Sequence, residues 1–442
     1  MDRIIIEGGH RLTGEVQING AKNSVLPILA ATLLADEPST ILGVPDLADV
    51  ATMVKILLAI GLEVEKHPNQ LKVIPRANLV PVAPYELVST MRAGICVLGP
   101  LLAKLGEAKV SLPGGCVIGP RPIDLHLRGL KALGAQIEIV HGYIEARIPA
   151  GKRLKGAQVH LAGPAGSSVL ATANVMMAAV LAEGETIIES AACEPEIADL
   201  ANFLVRMGAN IEGQGSPTIK IRGVRHLYGA QHSIIPDRIE TGTYMIAAAM
   251  THGSILVKNG YWGHITAVAE KLQSAGITVE NQEEGIYVKL DPDEPLRSVD
   301  ITTLSYPGFP TDMQAQMTAL MTTAEGVSVI TEKIYPDRFI HVAELARMGG
   351  HVIPDHGRVI VKGVPKLTGA QVMASDLRAS AALVLAGLIA EGQTVVSRIY
   401  HLDRGYEHLE EKLTGLGARI WRESEKRVEG ARKLETVETS NQ

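Results

Sequence analysis

Six stretches of this chain are apolar at nearly every position, rather than at every third or fourth. Ile28-Leu29-Ala30-Ala31, Ile246-Ala247-Ala248-Ala249 and Ala381-Ala382-Leu383-Val384 are the plainest. A helix apolar all round is a buried helix. Each stretch opens at a polar signal: Lys22-Asn23, Thr90-Met91-Arg92, Ser167-Ser168, Asp237-Arg238, Thr311-Asp312 and Ser375-Asp376. Asn, Ser, Thr and Asp accept orphan amide protons at a helix start. Asp237 with Glu240 has the form of a capping box, and Pro27 lies near a helix start, where a missing amide costs little. After each helix the pattern predicts a Gly- or acid-marked turn, a short β-branched strand, a second helix, a glycine and a further strand.

That phrase recurs six times. Its closing glycines are Gly61, Gly134, Gly208, Gly276, Gly349 and Gly417, spaced 68 to 74 residues apart. Alternating helix and strand place the chain in the α/β class, and the period is too long for the common solenoids. A length of 442 residues exceeds one ordinary core, so two domains of three repeats are expected; a single elongated array is the alternative. The boundary is expected near Ser233–Asp237, giving a first domain over 22–235. Lys366-Leu367-Thr368-Gly369-Ala370 aligns with Arg11-Leu12-Thr13-Gly14-Glu15. Residues 1–21 are therefore expected to complete the second domain, over 236–424, with two crossings. Residues 425–442 are charged and weakly periodic and read as a flexible tail.

Composition narrows the picture. Apolar residues are 46% but aromatics only 3%, so the core is built from Ala, Val, Leu, Ile and Met. A net charge of −6 argues against general nucleic-acid binding, which needs a basic surface. Three cysteines, Cys96, Cys116 and Cys193, fit a reducing cytoplasm rather than a disulfide framework, and no Cys/His spacing points to a metal site. The apolar run Ile4–Ile6 is too short for a signal peptide, and none approaches a membrane span. There is no GxxxxGK[ST] and no GxGxxG between strand and helix, so nucleotide-fold and nicotinamide chemistry are not expected.

Candidate chemistry collects at the helix starts and in one loop. Capping does not account for Lys22, Arg92, Arg238 and Arg378, because a cation at a helix N-terminus opposes the dipole. Cations placed there imply an anionic ligand. Two domains with parallel inner helices, facing each other, would make an anion-attracting cleft. Ser111–His126 holds three glycines and three prolines in sixteen residues, which makes it a loop, and a loop of that length is usually functional. In it Cys116 stands between glycines, five residues before Arg121. Access and a neighbouring cation are what a reactive thiol needs, as nucleophile or acid. Cys96 and Cys193 read as structural. Asp312 reads as an N-cap carboxylate that can also serve as a base. Asp376 with Arg378 repeats the geometry, and Arg338 and Arg404 occupy matched places after Asp312 and Asp376. The repeated Asp-Arg turn is either an internal salt bridge or a clamp for phosphate or carboxylate.

These motifs carry a resemblance. Gly20-Ala21-Lys22-Asn23, Thr90-Met91-Arg92-Ala93, Pro113-Gly114-Gly115-Cys116, Arg121-Pro122-Ile123-Asp124-Leu125-His126, Phe309-Pro310-Thr311-Asp312-Met313-Gln314-Ala315-Gln316, Ser375-Asp376-Leu377-Arg378-Ala379 and Asp403-Arg404-Gly405-Tyr406 together resemble the UDP-N-acetylglucosamine 1-carboxyvinyltransferases. These are the enolpyruvyl transferases of peptidoglycan synthesis. The resemblance runs in order from about Gly8 to Ile420. It implies a two-domain inside-out α/β barrel with three repeats per domain. It also implies transfer of enolpyruvyl from phosphoenolpyruvate to the 3-hydroxyl of the sugar through a tetrahedral ketal, with no metal or organic cofactor. By the same resemblance Cys116 is the proton donor and site of phosphoenolpyruvate adducts, and Asp312 the general base. Lys22, Arg121 and Arg404 hold phosphoenolpyruvate. Asn23, Arg92, Arg121, Pro122, Ile123, Asp124, Leu125, Gly166, Ser167, Ser168, Val169, Asp312 and Ile334 line the UDP-sugar site, and Arg338, Asp376 and Arg378 complete the charged surroundings.

One segment departs from the family pattern. Ser168-Val169-Leu170-Ala171-Thr172 has a leucine where the family usually has a glycine, which adds bulk beside the expected nucleotide site. Two alternatives stand beside the leading expectation. One is a weakly active paralogue serving as a UDP-sugar sensor or regulatory protein, with Leu170 as its support. The other is a 5-enolpyruvylshikimate-3-phosphate synthase, which shares the architecture but against which the Cys116 loop and the Phe-Pro-Thr-Asp phrase argue. A soluble cytoplasmic monomer or weak homo-oligomer is expected.

Overall fold

A computed structural model describes residues 2–114, 123–164 and 166–424. Cys116, Arg121, Pro122 and the expected tail over 425–442 lie outside the described residues. The helices Lys22–Ala31, Leu98–Leu105, Val169–Ala179, Arg238–Met250, Gln314–Met321 and Leu377–Ile389 are the inner helices of six repeats. Every residue of Gln314–Met321 is buried, and so is every residue from Ile239 to Met250. Their alanines, glycines and small β-branched residues let neighbouring backbones approach closely without leaving voids. The helix starting at Leu98 meets the one starting at Val169 in this way. The Gly99 amide donates to Asn174 Oδ1 at 2.7 Å, and a Cβ on Gly99 would lie 2.3 Å from the Asn174 carbonyl oxygen.

The second helices are Ala48–Ile60, Asp124–Ala132, Pro195–Arg206, Trp262–Ser274, His341–Arg347 and Leu409–Gly415. Each stops one or two residues before its closing glycine, and all six glycines have left-handed backbone, with φ of 88° to 108°. That conformation ends a helix and strains any side chain with a Cβ, which is why the repeat keeps its period.

Among the described residues each of the chain's two units has three four-stranded sheets of one topology: an edge strand pairs parallel with its neighbour, and the remaining pairings are antiparallel. The parallel edges are Val82–Ala83, Gln158–His160, Gln231–Ser233, Thr13–Gln17, Ile301–Thr302 and Gln371–Met373. In the last sheet the strand from a distant part of the chain is an inner strand and not the edge strand. Arg3–Glu7, at the beginning of the chain, lies between Gln393–Ser397 and Arg419–Glu423, pairing Ile4 with Val396 and Ile5 with Trp421.

The chain divides into two compact units. The first is Asn19–Asp237 with Ser305–Gly308; the second takes the segments up to Ile18, Arg238–Leu304 and onward from Phe309. Each has its own hydrophobic core. The boundaries fall slightly outside the expected 22 and 235 for a physical reason. Gly20 pairs with Pro236, the Ala21 amide donates to the Ile235 carbonyl at 2.7 Å, and the Asp237 amide donates to the Asn19 carbonyl at 2.9 Å. These bonds carry Asn19–Ala21 and Pro236–Asp237 into the first unit. No helix among the described residues is long and apolar enough to cross a membrane.

Candidate active site

In the second unit, the charged residues anticipated from three separate motifs meet. Asp312 lies in the short turn Thr311–Met313, ahead of the inner helix Gln314–Met321. It is not the cap of that turn: Pro310 holds the position, with no side-chain cap bond. Instead its Oδ1 accepts from Arg338 Nη1 at 2.8 Å, and its Oδ2 accepts from Arg378 Nη2 at 3.0 Å and Nε at 3.2 Å. Of the two alternatives for the Asp-Arg turn, Arg338 therefore takes the internal salt bridge rather than an open clamp. Burial works against the Arg338 charge, but Asp312 and Asp376 outweigh it and hold the guanidinium above its ordinary value.

Asp376 is a true N-cap, accepting from the Arg378 amide at 2.8 Å and the Ala379 amide at 3.2 Å. Arg378 is 2% exposed and lies 5.3 Å from the Tyr406 ring centroid, within cation–π range. Tyr406 is fixed from below: its hydroxyl is 2.9 Å from Thr243 Oγ1 and accepts from Gln316 Nε2 at 3.2 Å. Beside this cluster His341 is fully buried, and burial, with Arg338's charge, pushes it down to about 4 against the pull of Asp376. Arg404 ends the turn Ile399–Arg404. The preceding Asp403 is held by Arg422 through bonds of 2.6 and 3.1 Å. Ile334 lies in a loop organised by Glu332, to whose carboxylate its amide donates at 2.8 Å.

In the first unit, Lys22 and Asn23 open the first inner helix. The Lys22 amide donates to Asp237 Oδ2 at 3.1 Å. Lys22 Nζ lies 3.4 Å from Asp49 Oδ2, both side chains largely buried at 12% and 6% exposure. Arg92 starts the turn Arg92–Val97. Its charge adds to burial in pushing His126 down to about 3, which keeps that imidazole neutral. His126 Nδ1 lies 3.0 Å from Asn174 Nδ2, which also donates to the Ile95 carbonyl at 2.8 Å. With the amide donating, His126 Nδ1 is the acceptor.

Ile123 packs on the first core, Asp124 is exposed in the first turn of its helix, and Leu125 is buried. Gly166 and Ser167 form a short hairpin with Ala162–Gly163. Ser168 caps the helix that Val169 begins, accepting from the Ala171 amide at 3.4 Å. Leu170 packs against the core of the first unit.

Sequence reasoning missed Glu332, Thr311, Tyr406, Asp49 and His341 as neighbours of the charged residues, and Asn174 as the partner of His126. Thr311 and Tyr406 lay inside quoted motifs; the other four carried no local signal. Among the described residues no group of three or more His, Cys, Asp or Glu is gathered as a metal ion would need.

Comparison with solved structures gives the class. The chain superposes on the enolpyruvyl transferase NikO from Streptomyces tendae with a TM-score of 0.83 at 26% identity, covering 95% of this chain and 98% of that one. The fold is shared with the EPSP synthase of Acinetobacter baumannii, at a TM-score of 0.71 and 19% identity over 96% of this chain and 100% of that one. Residues 6–413 match the EPSP synthase (3-phosphoshikimate 1-carboxyvinyltransferase) family. The architecture is thus the two-domain inside-out α/β fold of the enolpyruvyl transferases.

Much higher identity links the chain to proteins named UDP-N-acetylglucosamine 1-carboxyvinyltransferase. One from Desulfatibacillum aliphaticivorans is 52% identical over 96% of this chain and all of that one. Another from Myxococcus xanthus (strain DK1622) is 53% identical over the same shares. The chain belongs to the UDP-N-acetylglucosamine 1-carboxyvinyltransferase family.

Proposed function

We propose that this protein transfers the enolpyruvyl group of phosphoenolpyruvate to the 3-hydroxyl of UDP-N-acetylglucosamine and releases phosphate. That is the first committed step of peptidoglycan synthesis, and with it of cell-wall biogenesis, cell shape and division. The identity of about half of all residues with relatives of that name, over nearly the whole chain, supports the activity. The observation that carries the site assignment is the carboxylate of Asp312, held on both oxygens by Arg338 and Arg378.

In this reading Asp312 takes the proton of the sugar hydroxyl as its oxygen attacks C2 of phosphoenolpyruvate, while Cys116 delivers a proton to C3. The product is a tetrahedral ketal with a methyl group. Loss of a proton from C3 and departure of phosphate restore the double bond. Lys22, Arg121 and Arg404 hold phosphoenolpyruvate. Asn23, Arg92, Arg121, Pro122, Ile123, Asp124, Leu125, Gly166, Ser167, Ser168, Val169 and Ile334 contact the UDP-sugar. Bringing two polyanions together is opposed by their repulsion, and preorganised cations offset it. The work is done in the cytoplasm, by a monomer or weak homo-oligomer.

A coupled phosphate assay tests the function: release from phosphoenolpyruvate requires UDP-N-acetylglucosamine and is not supported by shikimate-3-phosphate. No release with pure substrates ends the proposal. The sensor alternative had Leu170 as its support; that side chain packs on the core, and no observation favours the alternative.

The thiol assignment has its own test. Burial pushes the Cys96 thiol up to about 12. The Cys193 thiol is also raised, by burial and then by Glu194, so neither supplies thiolate at neutral pH. Fosfomycin, an epoxide mimic of phosphoenolpyruvate, is expected to alkylate Cys116, and Cys116→Asp to abolish the adduct seen by peptide mass spectrometry. An adduct on Cys96 or Cys193 overturns the assignment.

A further inference from the structure

Glu332 follows the strand Val327–Thr331 and is 2% exposed. A carboxylate at that depth is tolerated only when its oxygens are hydrogen-bonded, and four donors converge on it. Oε1 accepts from Thr303 Oγ1 at 2.7 Å, the Ile334 amide at 2.8 Å and the Tyr335 amide at 2.9 Å; Oε2 accepts from Thr311 Oγ1 at 2.9 Å. Thr303 Oγ1 in turn accepts from the Lys333 amide at 2.9 Å. One side chain thus ties together the segment after strand Ile301–Thr302, the turn that carries Asp312 and the loop that leads to Arg338.

The direction of these bonds matters more than their number. Thr311 has one hydroxyl proton, and it points to Glu332. The face of its oxygen that meets Arg338 therefore offers lone pairs, and Arg338 Nη1 donates to it at 3.0 Å. The same Nη1 donates to Asp312 Oδ1 at 2.8 Å. A guanidinium Nη carries two protons in a fixed plane. With one directed at Thr311, the other is directed at Asp312.

We propose that Glu332 is a positioning residue for enolpyruvyl transfer. By fixing the Thr311 hydroxyl it orients Arg338, and through Arg338 it sets the carboxylate of Asp312 for proton abstraction. The inference rests on Asp312 being the base.

Glu332→Gln tests it with almost no change of shape. An amide oxygen at the Oε1 place keeps three donors satisfied, but the amide nitrogen then faces Thr311. The Thr311 oxygen must accept from it, and the hydroxyl proton is turned away from its partner, in competition with the Arg338 donor. The expected result is a fall in kcat of between about tenfold and a hundredfold, with KM for both substrates within about twofold of the original. The acid limb of the kcat profile is also expected to move to higher pH, because a misdirected Arg338 favours the ionised form of Asp312 less. Thr311→Val behaves like Glu332→Gln, and Thr311→Ser, which keeps the hydroxyl, lies closer to the original than Thr311→Val. Melting temperatures are measured alongside. An unchanged kcat and acid limb in Glu332→Gln overturns the proposal. So does a loss of kcat that tracks a lower melting temperature with the limb unmoved, since that is packing alone. Asp312→Asn is run in parallel: turnover retained there removes the base assignment itself, a result separate from either outcome at Glu332.

Discussion

Arg378 commits Nε and Nη2 to one oxygen of Asp312 while its guanidinium lies over the Tyr406 ring. Lysine carries the same charge but has neither the planar fork nor the flat face for stacking. Arg378→Lys is therefore expected to lower kcat/KM about a hundredfold, in steady-state phosphate release, while a melting curve shows the fold retained. Asp312 and Arg378 were legible as candidates because an acid or cation at the start of a buried helix asks for a reason, and Arg338 because Arg404 occupies the matching place after Asp376. Their mutual arrangement was not. Arg338 and Arg378 stand 26 and 66 residues from Asp312, and no local pattern encodes a contact at that range. Glu332 was invisible for a different reason: an acid between a strand and a loop looks like any solvated residue until its burial is known.

The inner helices show what the small residues are for. Gly99 gives the helix Leu98–Leu105 room to bring its amide onto Asn174, and Asn174 holds Ile95 and His126 as well. Gly99→Ala places a methyl group against backbone that has little freedom to move, since Asn174 is itself within a buried helix. Overpacking of that kind destabilises by about 1–3 kcal/mol; chemical denaturation should show the loss, with the midpoint moved and the slope unchanged. At this scale the sequence was most readable. The closing glycines recur because a left-handed residue is needed to end each second helix, and the all-apolar stretches recur because each inner helix is enclosed. The parallel edge strands were not readable. Several span two or three residues, too few to show alternation, and their pairing depends on neighbours supplied by the fold.

Each unit carries a buried neutral histidine, and the pair makes the whole molecule acid-sensitive. His126 in the first unit and His341 in the second are lowered from 6.5 to about 3 and about 4. Well above pH 6.5 both are neutral folded or unfolded, and neither affects stability. Below it the unfolded chain binds protons that the native units refuse, so stability falls as pH falls toward the native values. The slope is about 1.4 kcal/mol per pH unit for each histidine. Melting temperature is expected to decline between pH 6.5 and 4, and His341→Gln to make that decline shallower. The repeat period announced two domains of three repeats. The boundary was displaced by two or three residues because paired crossing segments belong to the unit whose hydrogen bonds they complete, which composition does not reveal.

The placement of Arg3–Glu7 between two strands from the far end of the chain has a consequence during synthesis. The strand carrying Ile4-Ile5-Ile6 leaves the ribosome long before its partners, which are made roughly 400 residues later. At about 5–20 residues per second that is a wait of roughly 20–80 s. Asn19–Asp237 can gather its three four-stranded sheets in that interval from strands already made. The leading strand has no ladder to join. An unpaired apolar strand is an aggregation hazard, and here the order of translation prolongs it.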